Sequence, residues 1–195
     1  MTLAQAAVEI LNLILLTAVI GYIISGYIKH PRKTFRQQHS EKGKFFDWDD
    51  FKFSLLIAAP GIVIHELFHK FFAIGFGAGA SFQIFPIGIA IGIILRLIHS
   101  PFVLLAPGYV MISQDAGITS AQMALVAFAG PLVNLLLWLG PTFVLRNQKR
   151  KLSRNMAIFL FYTASINLWL FIFNMIPVPP LDGSKVLMGL INAFG

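Results

Sequence analysis

His65-Glu66-Leu67-Phe68-His69 places side chains capable of chemistry at a telling spacing. Residues four apart share one face of an α-helix, so both imidazoles can grip a single metal ion. A glutamate between them can take a proton from a metal-activated water, the H-E-x-x-H arrangement of zinc proteases. Short patterns also arise by chance, and the surroundings decide their weight. Here the motif lies inside an apolar run, Phe53–Phe76, with Lys70 adjoining it. A charged side chain at the centre of a bilayer costs about 2.5–3.5 kcal/mol on insertion scales. Hydrogen bonds between membrane helices return only about 0.6–2 kcal/mol each. A polar patch that merely joins helices is therefore a poor account of so many ionisable groups, and a bound Zn²⁺ is a better one.

A hydrolytic zinc takes three protein ligands and leaves the fourth position to water. The chain has no cysteine, so its ligands must be nitrogen and oxygen. Glu41, Asp47, Asp49 and Asp50 lie in a basic loop, Glu9 near the start, and Asp115 in a polar turn. That leaves Asp182, which follows the proline-broken stretch Pro177-Val178-Pro179-Pro180-Leu181. His30 and His39 fall in the loop, and His99 beside Pro101 is a fallback ligand. Asp182 has a second reading, since it precedes Gly183-Ser184-Lys185 and can cap the last helix by accepting a backbone N–H. On residue types alone the cap is the better reading.

The elements that must position these groups are membrane elements. With 57% hydrophobic and 12% charged residues, the 195-residue chain has room for one domain, residues 1–195, and that domain is not a water-soluble globule. A membrane-spanning helix needs about 20 apolar residues. Leu3–Ile28, Phe53–Phe76, Ser120–Leu145 and Met156–Ile176 meet that length, which predicts an all-α, multi-pass integral protein of the cell membrane with about four transmembrane helices. Leu3–Ile28 is too long and lacks the basic start of a signal peptide, so it reads as a retained helix. Of the 15 Lys and Arg, 12 cluster in Lys29–Lys52 and Arg146–Arg154. Such clusters read as loops flanking spans, with the lipid bilayer as partner and no nucleic acid.

Between the second and third spans, Gly77–Ser113 is apolar but broken by Gly79, Pro86, Pro101 and Pro107. The alternation in Ser81-Phe82-Gln83-Ile84-Phe85 predicts a short strand, Pro86–Ile98 a half-length helix, and Phe102–Ile112 a second strand. Non-helical backbone at membrane depth is tolerated where it lines a cavity, so the segment is read as re-entrant and as a wall of an internal site. The final helix, Ser184–Phe194, is too short to span.

His65–His69 with Ala73, the run Gly130-Pro131-Leu132-Val133-Asn134, and Asn174-Met175-Ile176-Pro177 leading into Leu181-Asp182-Gly183 together resemble the site-2 protease family of intramembrane metalloproteases. The resemblance covers a core of residues 53–185, with residues 1–28 looking like an additional N-terminal span. It implies one Zn²⁺ per chain, held by His65, His69 and Asp182, with Glu66 as general base. It puts Asn174 beside the site, holding substrate backbone or stabilising the oxyanion, and has the Gly130-Pro131 break let the third span approach the metal helix. Asn134 joins the substrate-binding residues, against an alternative role in interhelical hydrogen bonding; Asn167 reads as packing. Many relatives carry PDZ or CBS domains, for which this chain has no room, so recognition rests on the membrane core or on a separate regulatory partner.

The activity so implied is zinc-dependent cleavage of transmembrane segments in membrane protein substrates, in regulated intramembrane proteolysis. A helical substrate must unwind before it is cut, and Ser81–Phe85 is expected to receive it by strand addition. Counting along the spans puts the metal toward the side away from both basic loops. The positive-inside rule makes that side external, whereas the family resemblance implies the cytosolic side. A membrane metal-ion transporter, or a non-proteolytic zinc-binding membrane protein, is the alternative. Neither needs a base beside the metal.

Overall fold

Helix length and apolar composition set the scaffold. A computed structural model describes residues 3–31, 46–101, 108–113, 117–148 and 151–195. In chain order these form α1 (Leu3–Ile24), α2 (Trp48–Gly75), β1 (Ala80–Ile84), α3 (Pro86–Leu97), β2 (Gly108–Ile112), α4 (Ser120–Asn147), α5 (Arg154–Asn174) and α6 (Asp182–Phe194). Four of them, α1, α2, α4 and α5, are long and apolar enough to cross a membrane. Their outer faces expose Ile14, Leu56, Phe71, Phe143 and Trp169, as suits helices whose solvent is lipid.

Caps explain where the helices begin. The sequence places the second span from Phe53, but α2 starts at Trp48, because the Asp47 carboxylate accepts from the N–H groups of Asp49 and Asp50 at 3.0 Å. Asp49 and Asp50 add negative charge to the positive end of the helix dipole. Thr119 and Gln122 form a capping box at the start of α4.

The segment between α2 and α4 is a two-stranded antiparallel sheet interrupted by the half-length helix α3. Ala80 pairs with Ile112 and Ile84 with Gly108. Phe82 is buried among Leu16 and Ile20 of α1 and Ala58 and Ile62 of α2, and Val110 packs against this cluster, so one sheet face rests on both helices. Tyr109 and Met111 are exposed. The second strand begins at Gly108, and the earlier part of the expected strand, 102–107, lies outside the described residues. Pro86 occupies a first-turn position of α3, where its missing N–H costs nothing. At the other end, Arg96 donates to Ser25 Oγ at 2.6 Å and stacks over the Tyr22 ring at 3.8 Å, which fastens the re-entrant segment to the C-terminal end of α1.

Helix α4 packs against α2, α5 and α6. Helix α1 packs on α2 and the sheet, and a largely buried ion pair joins its Glu9 to Lys70 of α2.

Candidate metal centre

Helical spacing brings His65 and His69 together on α2, with their Nε2 atoms 3.0 Å apart. The prolines from Pro177 to Pro180 cannot continue α5, and the chain turns through them into α6. Leu181 occupies the N-cap of α6 and makes no side-chain cap, while Asp182 is the first helical residue. The capping role that Asp182 has on sequence grounds is therefore not the one it adopts. Its Oδ2 instead lies 3.1 Å from the Nε2 of His65 and 3.1 Å from that of His69. All three side chains are buried.

The hydrogen bonds behind the two rings decide what this cluster can hold. His69 Nδ1 lies 2.7 Å from the carbonyl oxygen of Val126, which can only accept, so Nδ1 carries the proton. His65 Nδ1 lies 2.6 Å from Asn134 Oδ1. The Asn134 amide is turned this way because its Nδ2 donates to Gly61 O at 3.2 Å and to Asn167 Oδ1 at 2.9 Å. Neutral rings with protonated Nδ1 point bare lone pairs from both Nε2 atoms at a carboxylate oxygen. Three acceptors about 3 Å apart repel one another unless a proton or a cation lies among them.

Two imidazoles and a carboxylate suit zinc, whose bonds of about 2.0–2.2 Å space tetrahedral ligands by a little over 3 Å. Glu66 Oε2 is buried beside the cluster and has no partner among the described residues, as expected of an oxygen that accepts from a water. Gly130 of α4 lies against the rings, and a Cβ there would fall 2.6 Å from His65 Nε2. The residues present thus fit a bound zinc ion. On the rim, Lys185 Nζ lies 3.7 Å from Asp182 Oδ1, the oxygen turned away from the histidines.

The cluster opens into a cleft of about 570 Å³, walled by Glu66, Val110, Phe173, Asn174 and Pro179 among others. Asn174 stands on this wall, with its Nδ2 donating to Leu170 O at 3.0 Å. Asn134, grouped with the substrate-binding residues on sequence grounds, is fully buried behind His65 with its amide committed to His65, Gly61 and Asn167. Its observed contacts hold His65 in place. Of the expected strand residues, Phe85 borders the metal cleft, whereas Ser81, Phe82 and Gln83 border a second cleft with Gln5 and Glu9 of α1. Ile84 packs against the core cluster around Phe82. The strand along the metal cleft is β2, through Gly108, Tyr109, Val110 and Ile112. His99 is exposed beyond the end of α3 and takes no part in the cluster.

Three contributions were not legible in the sequence. The Val126 carbonyl leaves no mark on residue type, and the second strand, expected over Phe102–Ile112, gave no sign that it rather than β1 borders the metal cleft. Asn167 did carry a signal, a polar amide inside an apolar span, but its partner became visible only in three dimensions.

Apolar helices wrapped around a buried His-His-Asp cluster define a membrane protein built on a metal-binding core. Residues 139–195, which contain Asn174 and Asp182, match the model of peptidase family M50. A protein of Methanocaldococcus jannaschii that bears the name "Putative zinc metalloprotease" is 37% identical over 138 residues, 70% of each chain. No solved structure matches the chain. The chain belongs to peptidase family M50, the site-2 proteases, and is an integral membrane metalloprotease.

Proposed function

We propose that this metalloprotease is a zinc-dependent intramembrane endopeptidase of the cell membrane, with one Zn²⁺ per chain, that cuts transmembrane segments of membrane proteins in regulated intramembrane proteolysis. One observation carries the reading. Bare lone pairs of His65, His69 and Asp182 converge beside a Glu66 oxygen that has no partner among the described residues, in a fold whose four long helices can span a bilayer.

A bound zinc ion would polarise the scissile carbonyl and acidify the attacking water. Glu66 takes that water's proton and passes it to the leaving amine nitrogen. His65, His69 and Asp182 hold the ion, and Val126 O and Asn134 orient the rings. Asn174, on the cleft wall, is placed to donate its amide to the substrate backbone. The cleft admits the water that hydrolysis consumes.

An unwound substrate needs new partners for its main chain, and an edge strand provides them. Ser113 N–H donates to Gly79 O at 2.8 Å, which sets the phase of the ladder. By antiparallel alternation, Ser81 bonds Met111 and Gln83 bonds Tyr109, while Gly108, Val110 and Ile112 turn their N–H and C=O groups away from β1. Those three residues also border the metal cleft. The substrate strand therefore adds to β2, with Ser81–Phe85 as the supporting strand rather than the receiving one.

The test is to purify the protein in detergent, measure zinc per chain, and compare wild type with Glu66→Gln on a panel of transmembrane peptides. The expected result is stoichiometric zinc in both and cleavage in wild type alone. Stoichiometric zinc without cleavage sensitive to Glu66 would favour a transport or binding role.

A further inference from the structure

Asn167 sits in the middle of α5, fully buried in an otherwise apolar span, and touches none of the reacting groups. A buried amide in such a place must have each of its polar atoms satisfied, and the way they are satisfied has a direction. Asn167 Nδ2 donates at 2.8 Å to the carbonyl of Thr163, one turn earlier, and a carbonyl can only accept. Asn167 Oδ1 is thereby turned toward α4, where it accepts from Asn134 Nδ2 at 2.9 Å. A second carbonyl, Gly61 O on α2, accepts from the same Nδ2 at 3.2 Å. Asn134 Oδ1 is left to face His65 Nδ1 at 2.6 Å.

Two main-chain carbonyls thus fix the polarity of a relay that crosses α5, α4 and α2 and ends on a metal ligand. If Asn134 flipped, its Oδ1 would meet the acceptors Gly61 O and Asn167 Oδ1, and its NH₂ would meet His65 Nδ1. His65 would then have to carry its proton on Nε2 and could no longer ligate through that atom. Gly61 is part of the device, because a Cβ there would fall 2.5 Å from Asn167 Oδ1.

We propose that Asn167 is a positioning residue for the metal, one that acts through Asn134 to keep His65 in the Nδ1-protonated tautomer. The inference rests on the metal-centre reading of His65 and adds to it a residue two hydrogen bonds removed from the ion. His69 needs no such relay, since Val126 O fixes its tautomer directly. The His65 end of the site therefore depends on α5, and the His69 end does not.

The experiment titrates zinc against a chelator in wild type, Asn167→Leu and Asn167→Asp, and records ¹⁵N spectra of histidine-labelled apoprotein in micelles. Asn167→Leu keeps the branched shape of the side chain, with bulkier tips, and removes the acceptor. It should weaken zinc by about 10–100-fold, the usual cost of losing an outer-shell partner, and move His65 to a mixture of tautomers while leaving His69 unchanged. Asn167→Asp keeps an acceptor toward Asn134 whether ionised or protonated and should stay within about threefold of wild type, on the same scale. Zinc affinity of Asn167→Leu within about twofold of wild type would overturn the proposal, as would an Asn167→Asp as weak as Asn167→Leu. Should Asn167→Leu fail to fold, Asn167→Ser, too short to reach Asn134, is judged by the same thresholds. Wild type that binds no zinc at all would instead refute the metal-centre reading itself.

Discussion

Asp182 Oδ2 and His65 Nε2 lie 3.1 Å apart although 117 residues of chain separate them. One comes from the first turn of the last helix, the other from the second half of α2, and α4 packs against both helices. A metal at this point therefore ties the C-terminal end of the fold to its second span, and binding free energy becomes folding free energy.

Glu66 and Asp182 should separate chemistry from metal binding. Glu66→Gln should retain zinc and lose about 10²–10⁴-fold in peptide cleavage, the range for a general base. Asp182→Asn should lose most of its zinc. Metal analysis of the purified variants beside a cleavage assay checks both.

Gly130 should tolerate no side chain. The Cβ of Gly130→Ala would press on the two imidazole nitrogens, and overpacking of this kind costs about 1–3 kcal/mol. The expected variant is helical by circular dichroism and deficient in zinc. Full zinc occupancy would mean that α4 can move away from the rings at little cost.

Glu9 and Lys70 should be coupled. Each side chain is 12% exposed, so Lys70→Met leaves the Glu9 carboxylate buried without its cation, at about 3–5 kcal/mol. Lys70→Met alone should lower the thermal midpoint in detergent, and Glu9→Gln with Lys70→Met should recover most of the loss. A double variant no better than the single one would show that the two residues act independently.

Proline scanning should identify the receiving strand. Val110→Pro removes an N–H turned away from β1 and should cut cleavage by about tenfold or more, if one main-chain bond to the substrate is worth about 1.5 kcal/mol. Met111→Pro removes an N–H bonded to β1 and should loosen the hairpin itself, read as faster amide exchange at Ser81 and Gln83. Cleavage unchanged in Val110→Pro would exclude strand addition at β2.

The pH dependence of zinc retention should come from the imidazoles and not from the carboxylate. Burial alone would raise the Asp182 carboxyl, but once acid has protonated the two rings, the Nε2–H groups and charge of His65 and His69 outweigh it and hold the group well below the usual carboxylate range. A lowered value favours the ionised form, so Asp182 remains a ligand as acid is added. The histidines must be neutral to bind metal, so protons compete with the ion for their lone pairs. Zinc measured after dialysis should therefore fall as the pH is lowered. Retention unchanged to about pH 4.5 would move the dependence onto a carboxylate.

What the sequence determined by itself follows from local periodicity and from solvent. Apolar runs of membrane length set the four spans, and a four-residue spacing placed His65 and His69 on one face, because both depend only on near neighbours along a helix. The re-entrant strand at Ala80–Ile84 and the half helix after Pro86 were legible for the same reason. Tertiary structure alone decided whether Asp182 caps a helix or meets two imidazoles, since an aspartate before Gly183 serves either purpose in the chain. It also decided that Asn134 faces His65, that Asn167 accepts from Asn134, and that β2 rather than β1 borders the metal cleft. Each of these depends on which groups meet across helices, where the direction of a hydrogen bond is set by partners distant in sequence.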